Sequence, residues 1–125
     1  MLKRKAYDEL LKWKKKSERK ALCITGARQI GKTTLIREFG KNEYENFAEI
    51  NFVRDENAKD IFKGDFTPES IITNLTAYLR TPLEKGKTLI LFDEVQECPD
   101  VRSAIKFLVE DGRFDYIESG SLLGI

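Results

Sequence analysis

Gly26-Ala27-Arg28-Gln29-Ile30-Gly31-Lys32-Thr33-Thr34 is the stretch that the rest of the chain is arranged to position. Its spacing is G-x-x-x-x-G-K-T, the phosphate-binding P-loop pattern. Gly26 and Gly31 permit backbone angles and close approaches that a Cβ would block. The apolar run Ala21-Leu22-Cys23-Ile24 precedes the loop, and helix-forming residues from Thr33 to Phe39 follow it. A strand feeding a glycine-rich loop that opens a helix leaves several backbone N–H groups in one concavity. The positive end of the helix dipole faces the same place, and both features suit a polyphosphate. Lys32 is expected to reach the β- and γ-phosphates, and the Thr33 hydroxyl to ligate Mg²⁺. The nucleotide-binding candidates are therefore Gly26, Ala27, Arg28, Gln29, Ile30, Gly31, Lys32, Thr33 and Thr34.

A second feature points to the same place. Thr88-Leu89-Ile90-Leu91-Phe92 is a continuous apolar run without alternation, as expected of a strand covered on both faces in a parallel sheet. It ends in Asp93-Glu94. Ligands of open α/β sheets lie outside the carboxyl ends of the strands. Asp93 is thus expected to face the P-loop and hold Mg²⁺ opposite Thr33, and Glu94 to orient or deprotonate an attacking water.

The remaining segments supply a scaffold. Leu2 to Lys16 reads as a helix with Ala6, Tyr7, Leu10 and Leu11 on one face and Trp13 flanking it. Gly40 reads as the stop of the helix that follows the P-loop. Asn46 to Phe52 alternates Phe47 and Glu49 against Ala48, Ile50 and Phe52, a strand pattern. Val53 to Asp65 is charged and irregular, with a short helical turn expected over Ala58 to Phe62. Thr67-Pro68-Glu69 is a helix start, with a capping threonine, proline at the first position and an acid in the first turn. Ile71, Ile72, Leu75, Tyr78 and Leu79 are its apolar face. Pro99-Asp100 opens another helix, with Val101, Ala104, Ile105, Leu108 and Val109 as its buried stripe and Gly112 as its stop, and Phe114 to Ile117 reads as a fourth strand. Strands alternating with helices define a three-layer α/β domain with a parallel sheet.

Composition narrows the chemistry. The chain has 125 residues, one domain's worth, divided into a lead-in helix (1–20) and a P-loop core (21–125). Without histidine, His-based acid–base catalysis and His metal ligation are excluded. Cys23 and Cys98 lack any CxxC spacing, and Cys23 is expected to be a reduced thiol inside a buried strand. No apolar run approaches the roughly 20 residues of a membrane span, so no membrane association and a cytoplasmic location are expected. Net charge is +1, but the first twenty residues hold nine Lys/Arg against three acids, +6, which leaves −5 for the remainder. This asymmetry raises nucleic-acid contact through the N-terminal helix as one reading and an ordinary solvated helix face as the other.

The segments G-A-R-Q-I-G-K-T-T-L-I, L-I-L-F-D-E-V-Q and S-G-S-L-L-G, with the opening R-K-A-Y-D-E-L-L-K-W-K, resemble the prokaryotic AAA+ ATPases. More narrowly they are similar to the AAA_14 group, usually fused to a C-terminal DUF4143 domain. The resemblance implies ATP and Mg²⁺ as ligands and self-association of the full-length protein. It also implies that Asn51 restrains the catalytic glutamate, here Glu94, that Ser119 or Ser121 monitors the γ-phosphate, and that Arg28 is a basic loop position typical of the group. AAA+ modules continue to a fifth strand, a helical lid and an arginine finger. The expectation is therefore an AAA+-like fold truncated before strand 5 and the lid, with hydrolysis slow or absent and the P-loop strand at the edge of a sheet ordered 1-4-3-2.

Competing readings lack their markers. A GTPase would carry N-K-x-D and D-x-x-G motifs, and a transporter-type ATPase would carry L-S-G-G-Q; none is present where required. A small-molecule kinase would couple the P-loop to an arginine-rich lid, which a stretch this short is not expected to show. From a different class, a non-catalytic module that binds nucleotide as an interaction switch is compatible with the same residues.

Overall fold

The computed structural model describes residues 2–16, 21–26, 32–64 and 66–121. Among these residues four strands form one parallel sheet: β1 (Leu22–Gly26), β2 (Asn46–Asn51), β3 (Thr88–Asp93) and β4 (Asp115–Ser121). The order across the sheet is β1-β4-β3-β2. The registers run Ile24↔Ser119, Phe92↔Glu118 and Asn51↔Asp93. Among the described residues four α-helices flank it: α1 (Leu2–Lys15), α2 (Lys32–Glu43), α3 (Pro68–Leu79) and α4 (Pro99–Asp111). Two 3-10 segments, Glu56–Phe62 and Val95–Glu97, follow the ends of β2 and β3.

Strand periodicity sorts the core into two layers. On one face, Leu89, Leu91 and Ile117 pack against Leu10 and Trp13 of α1 and Ile36 and Phe39 of α2. On the other, Ile50, Ile90, Phe92 and Tyr116 meet Ile71 and Leu75 of α3 and Val101, Ala104 and Leu108 of α4. Every residue of β3 is buried, as its unbroken apolar run requires of a central strand.

Local signals explain the helix ends on the second face. The Thr67 hydroxyl accepts the Ser70 N–H at 3.3 Å, and Pro68 occupies the first turn of α3. Arg80 closes that helix in the left-handed region (φ 55°), donating its N–H to Thr76. Gly112 does the same for α4 at φ 78°, where a glycine carries no Cβ penalty.

Several expectations change. The helix after the P-loop does not stop at Gly40 but continues to Glu43. Gly40 is buried there, and a Cβ at this position would collide with the Phe47 ring of β2. Trp13 does not flank the buried face of α1. It lies in it with Leu10, and its ring meets Phe39 at 6.5 Å between centroids. Tyr78, expected on the apolar face of α3, is exposed.

Cys23 is exposed, not a core thiol. Among the described residues β1 pairs only with β4. Leu22 and Ile24 turn toward α1 and α2, so alternation sends Cys23 to the opposite face. The irregular stretch after β2 contains a 3-10 segment starting at Glu56, two residues before the expected turn. β4 runs on through Glu118 and Ser119 to Ser121 rather than ending at Ile117.

Candidate functional site

Lys32 and Thr33 open α2, and both are half-buried, whereas Thr34 points outward. Gly26 closes β1. Ala27, Arg28, Gln29, Ile30 and Gly31 lie outside the described residues. Across the sheet, Leu89, Leu91 and Asp93 share one face of β3, and that face is the one packed on α2. The outcome is convergence of two residues 60 positions apart: the Thr33 hydroxyl donates to Asp93 Oδ2 at 3.5 Å, a long contact.

Asp93 is buried, with 6% of its surface exposed. Burial pushes its carboxyl above the ordinary carboxylate range. The Glu94 N–H, donating to Oδ1 at 2.9 Å, opposes that shift, the negative charges of Glu94 and Glu49 add to it, and Lys32 pulls it down. A carboxylate under this pressure gains from a nearby cation. One hydroxyl and one carboxylate side by side also fit Mg²⁺, which keeps several waters and takes few protein ligands beside phosphate oxygens. Among the described residues no group of three or more Cys, Asp or Glu side chains is placed to hold a metal by protein ligands alone.

Glu94 follows at the end of β3 with a left-handed backbone, φ 56° and ψ 45°, uncommon for a residue with a Cβ. This kink begins the 3-10 turn Val95–Glu97, in which Gln96 Nε2 donates to Glu94 Oε1 at 2.6 Å. Asn51 ends β2 beside Asp93. Its side-chain oxygen accepts the N–H groups of Val53 at 2.9 Å and Arg54 at 3.1 Å, closing the turn after the strand. No hydrogen bond joins Asn51 to Glu94 among the described residues.

Ser119 lies one step past the Phe92↔Glu118 pair, hence next to Asp93. Alternation from Ile117 turns it toward the α2 side. It is fully buried, and its hydroxyl has no hydrogen-bond partner among the described residues. Ser121 ends β4, and its side chain lies outside the described ones. Asn51, Asp93, Glu94 and Ser119 thus gather at the carboxyl ends of adjacent strands, beside the start of α2.

Two contributors escaped the sequence reading. Arg37 of α2 holds Glu49 of β2 through two guanidinium nitrogens, Nε–Oε1 at 2.6 Å and Nη2–Oε2 at 2.7 Å. No local pattern announces a pair joining a helix to a strand. Gln96 is the other. Its spacing of two from Glu94 is visible in sequence, but only the left-handed kink brings the side chains together.

A parallel sheet ordered β1-β4-β3-β2, with a G-x-x-x-x-G-K-T stretch entering α2 and an acid at the end of β3, defines a nucleotide-binding domain of the P-loop NTPase class. The AAA_14 family model, an AAA domain, matches residues 18–125, and the chain belongs to that family. Among curated proteins, none matches the chain significantly. Among the described residues no helix is long and apolar enough to cross a membrane.

Proposed function

We propose that the domain binds Mg²⁺-ATP across the start of α2 and the end of β3 and slowly hydrolyses it to ADP and phosphate. The observation that carries this reading is the approach of Thr33 to Asp93, a hydroxyl and a carboxylate of the kinds that a phosphate-bound cation would take as ligands. Lys32 would bind the β- and γ-phosphates while the backbone N–H groups of the loop surround them. Bound Mg²⁺ would neutralise phosphate charge, held by Thr33 and Asp93. Glu94 would take a proton from the attacking water as the water oxygen bonds to the γ-phosphorus and the bridging P–O bond to ADP breaks. The buried, unpartnered Ser119 hydroxyl supports a contact to the γ-phosphate, with Ser121 as its neighbour on the same strand. Asn51, beside Asp93 in register, supports the shape of the site from the β2 side.

The test pairs binding with chemistry. Mg²⁺-ATP is expected to raise the melting temperature of the wild type but not of Lys32→Ala. Single-turnover hydrolysis is expected to fall at least 100-fold in Glu94→Gln, within the roughly 100- to 10,000-fold that a positioned general base contributes. A wild type that melts at the same temperature with and without Mg²⁺-ATP would refute the binding site. If binding is intact while wild type and Glu94→Gln are equally inert, the domain is a nucleotide-dependent switch rather than an ATPase.

A further inference from the structure

Gln96 lies in the middle of the short 3-10 turn that follows β3 and donates Nε2–H to Glu94 Oε1 at 2.6 Å. The amide has one workable orientation beside a carboxylate. Turned over, its carbonyl would face the Glu94 oxygen, acceptor against acceptor. In the orientation adopted, the Gln96 Oε1 atom is buried and has no hydrogen-bond partner among the described residues. For stability alone, an amide whose buried oxygen has no partner is a poor choice beside an apolar side chain. The bond to Glu94 is the compensating feature.

The backbone points the same way. Glu94 adopts the left-handed region at φ 56°, and its N–H is tied to Asp93 Oδ1 at 2.9 Å. The main chain of Glu94 is therefore fixed by Asp93 and its carboxylate by Gln96, both within one turn. The side-chain oxygen of Asn51 is occupied by the N–H groups of Val53 and Arg54.

We propose that Gln96 is a positioning residue for Glu94: it fixes Oε1, leaving Oε2 as the oxygen that takes the proton from the attacking water. The inference rests on the reading of Glu94 as the base. It differs from the expected restraint by Asn51 in placing the contact on the same turn as the glutamate, two residues downstream.

The experiment combines single-turnover hydrolysis, Mg²⁺-ATP affinity by calorimetry, and the side-chain amide resonances of Gln96 in ¹⁵N-labelled protein. Gln96→Ala is expected to slow hydrolysis about tenfold, a fraction of the general-base contribution, with Mg²⁺-ATP affinity unchanged. Gln96→Leu, closer in volume, guards against loss of fold and is expected to behave alike. The Gln96 amide resonances are expected to move in Glu94→Ala. A Gln96→Leu variant that turns over at the wild-type rate or faster overturns the proposal, as does a Gln96 amide that ignores Glu94→Ala. An inert wild type whose Gln96 amide still responds to Glu94→Ala overturns Glu94 as the base, and with it the catalytic role of Gln96, while the contact stands.

Discussion

Arg37 and Glu49 join the P-loop helix to the second strand by two parallel hydrogen bonds of 2.6 and 2.7 Å. The pairing holds the Arg37 guanidinium above its ordinary pKa, chiefly through the hydrogen bond to Glu49. Its mechanical consequence is larger. α2 carries Lys32 and Thr33 at its start, and β2 carries Asn51 at its end, so this pair sets the spacing of two walls of the site.

Breaking that pair is expected to loosen the domain unevenly. Arg37→Ala leaves Glu49, only 12% exposed, without its counter-ion. The loss should be about 1 to 2 kcal/mol, the lower part of the range for hydrogen bonds to charged groups because Arg37 is partly solvated. Arg37→Lys should recover little, since an ammonium cannot reproduce the planar fork. Urea unfolding checks both, and Arg37→Ala/Glu49→Ala should cost less than the two single changes added. Strict additivity would show the pair to be inert.

Asp93→Asn is expected to stabilise the protein without nucleotide while abolishing its response to Mg²⁺-ATP. The folded-state pKa of Asp93 is raised, mainly by burial. Between the unfolded value and that raised value the folded chain holds a proton that the unfolded chain has lost. Stability at this position is therefore greatest at acid pH and falls as pH rises through the folded pKa. At pH 7 to 8 the ionised carboxylate is a burden that asparagine removes, and its oxygen can still accept the Glu94 N–H. Thermal melts from below the ordinary carboxylate pKa up to pH 8 should show Asp93→Asn melting higher than wild type at the alkaline end, with the difference shrinking toward acid. A lower melting temperature at pH 8 would contradict the burial argument.

Gly40→Ala is expected to destabilise, although alanine is the better helix former by about 1 kcal/mol. The new methyl would occupy the space of the Phe47 ring, and overpacking of this kind costs about 1 to 3 kcal/mol. Chemical denaturation of Gly40→Ala, Phe47→Ala and the double variant separates the two effects. The double variant should be more stable than the sum of the single losses implies. A Gly40→Ala variant more stable than wild type would return Gly40 to a mere propensity defect.

Much of the fold was legible because its signals are local. The fully apolar β3, the capping Thr67 with Pro68, and Gly112 at φ 78° each declare themselves within a few residues. Legibility fails where a side chain's role depends on what packs against it. Gly40 looked like a helix stop because nothing nearby announces the Phe47 ring seven residues later on a strand. Cys23 looked buried because an apolar run does not state which of its strand's faces is covered. Trp13 moved from the margin to the centre of α1's buried face because Phe39 of α2 lies under it.

The same division runs through the candidate site. Residue order alone announced a strand before the G-x-x-x-x-G-K-T stretch, a helix after it, and an acid at the end of a buried strand, because spacing dictates backbone geometry. It nominated Lys32, Thr33, Asp93 and Glu94. Only the tertiary structure decided that Thr33 and Asp93 meet, that Arg37 clamps Glu49, and that Gln96 holds Glu94. The first two contacts join elements distant in sequence, and the third depends on a left-handed turn at a non-glycine residue. Each is set by how the chain packs, which no short pattern of residues encodes.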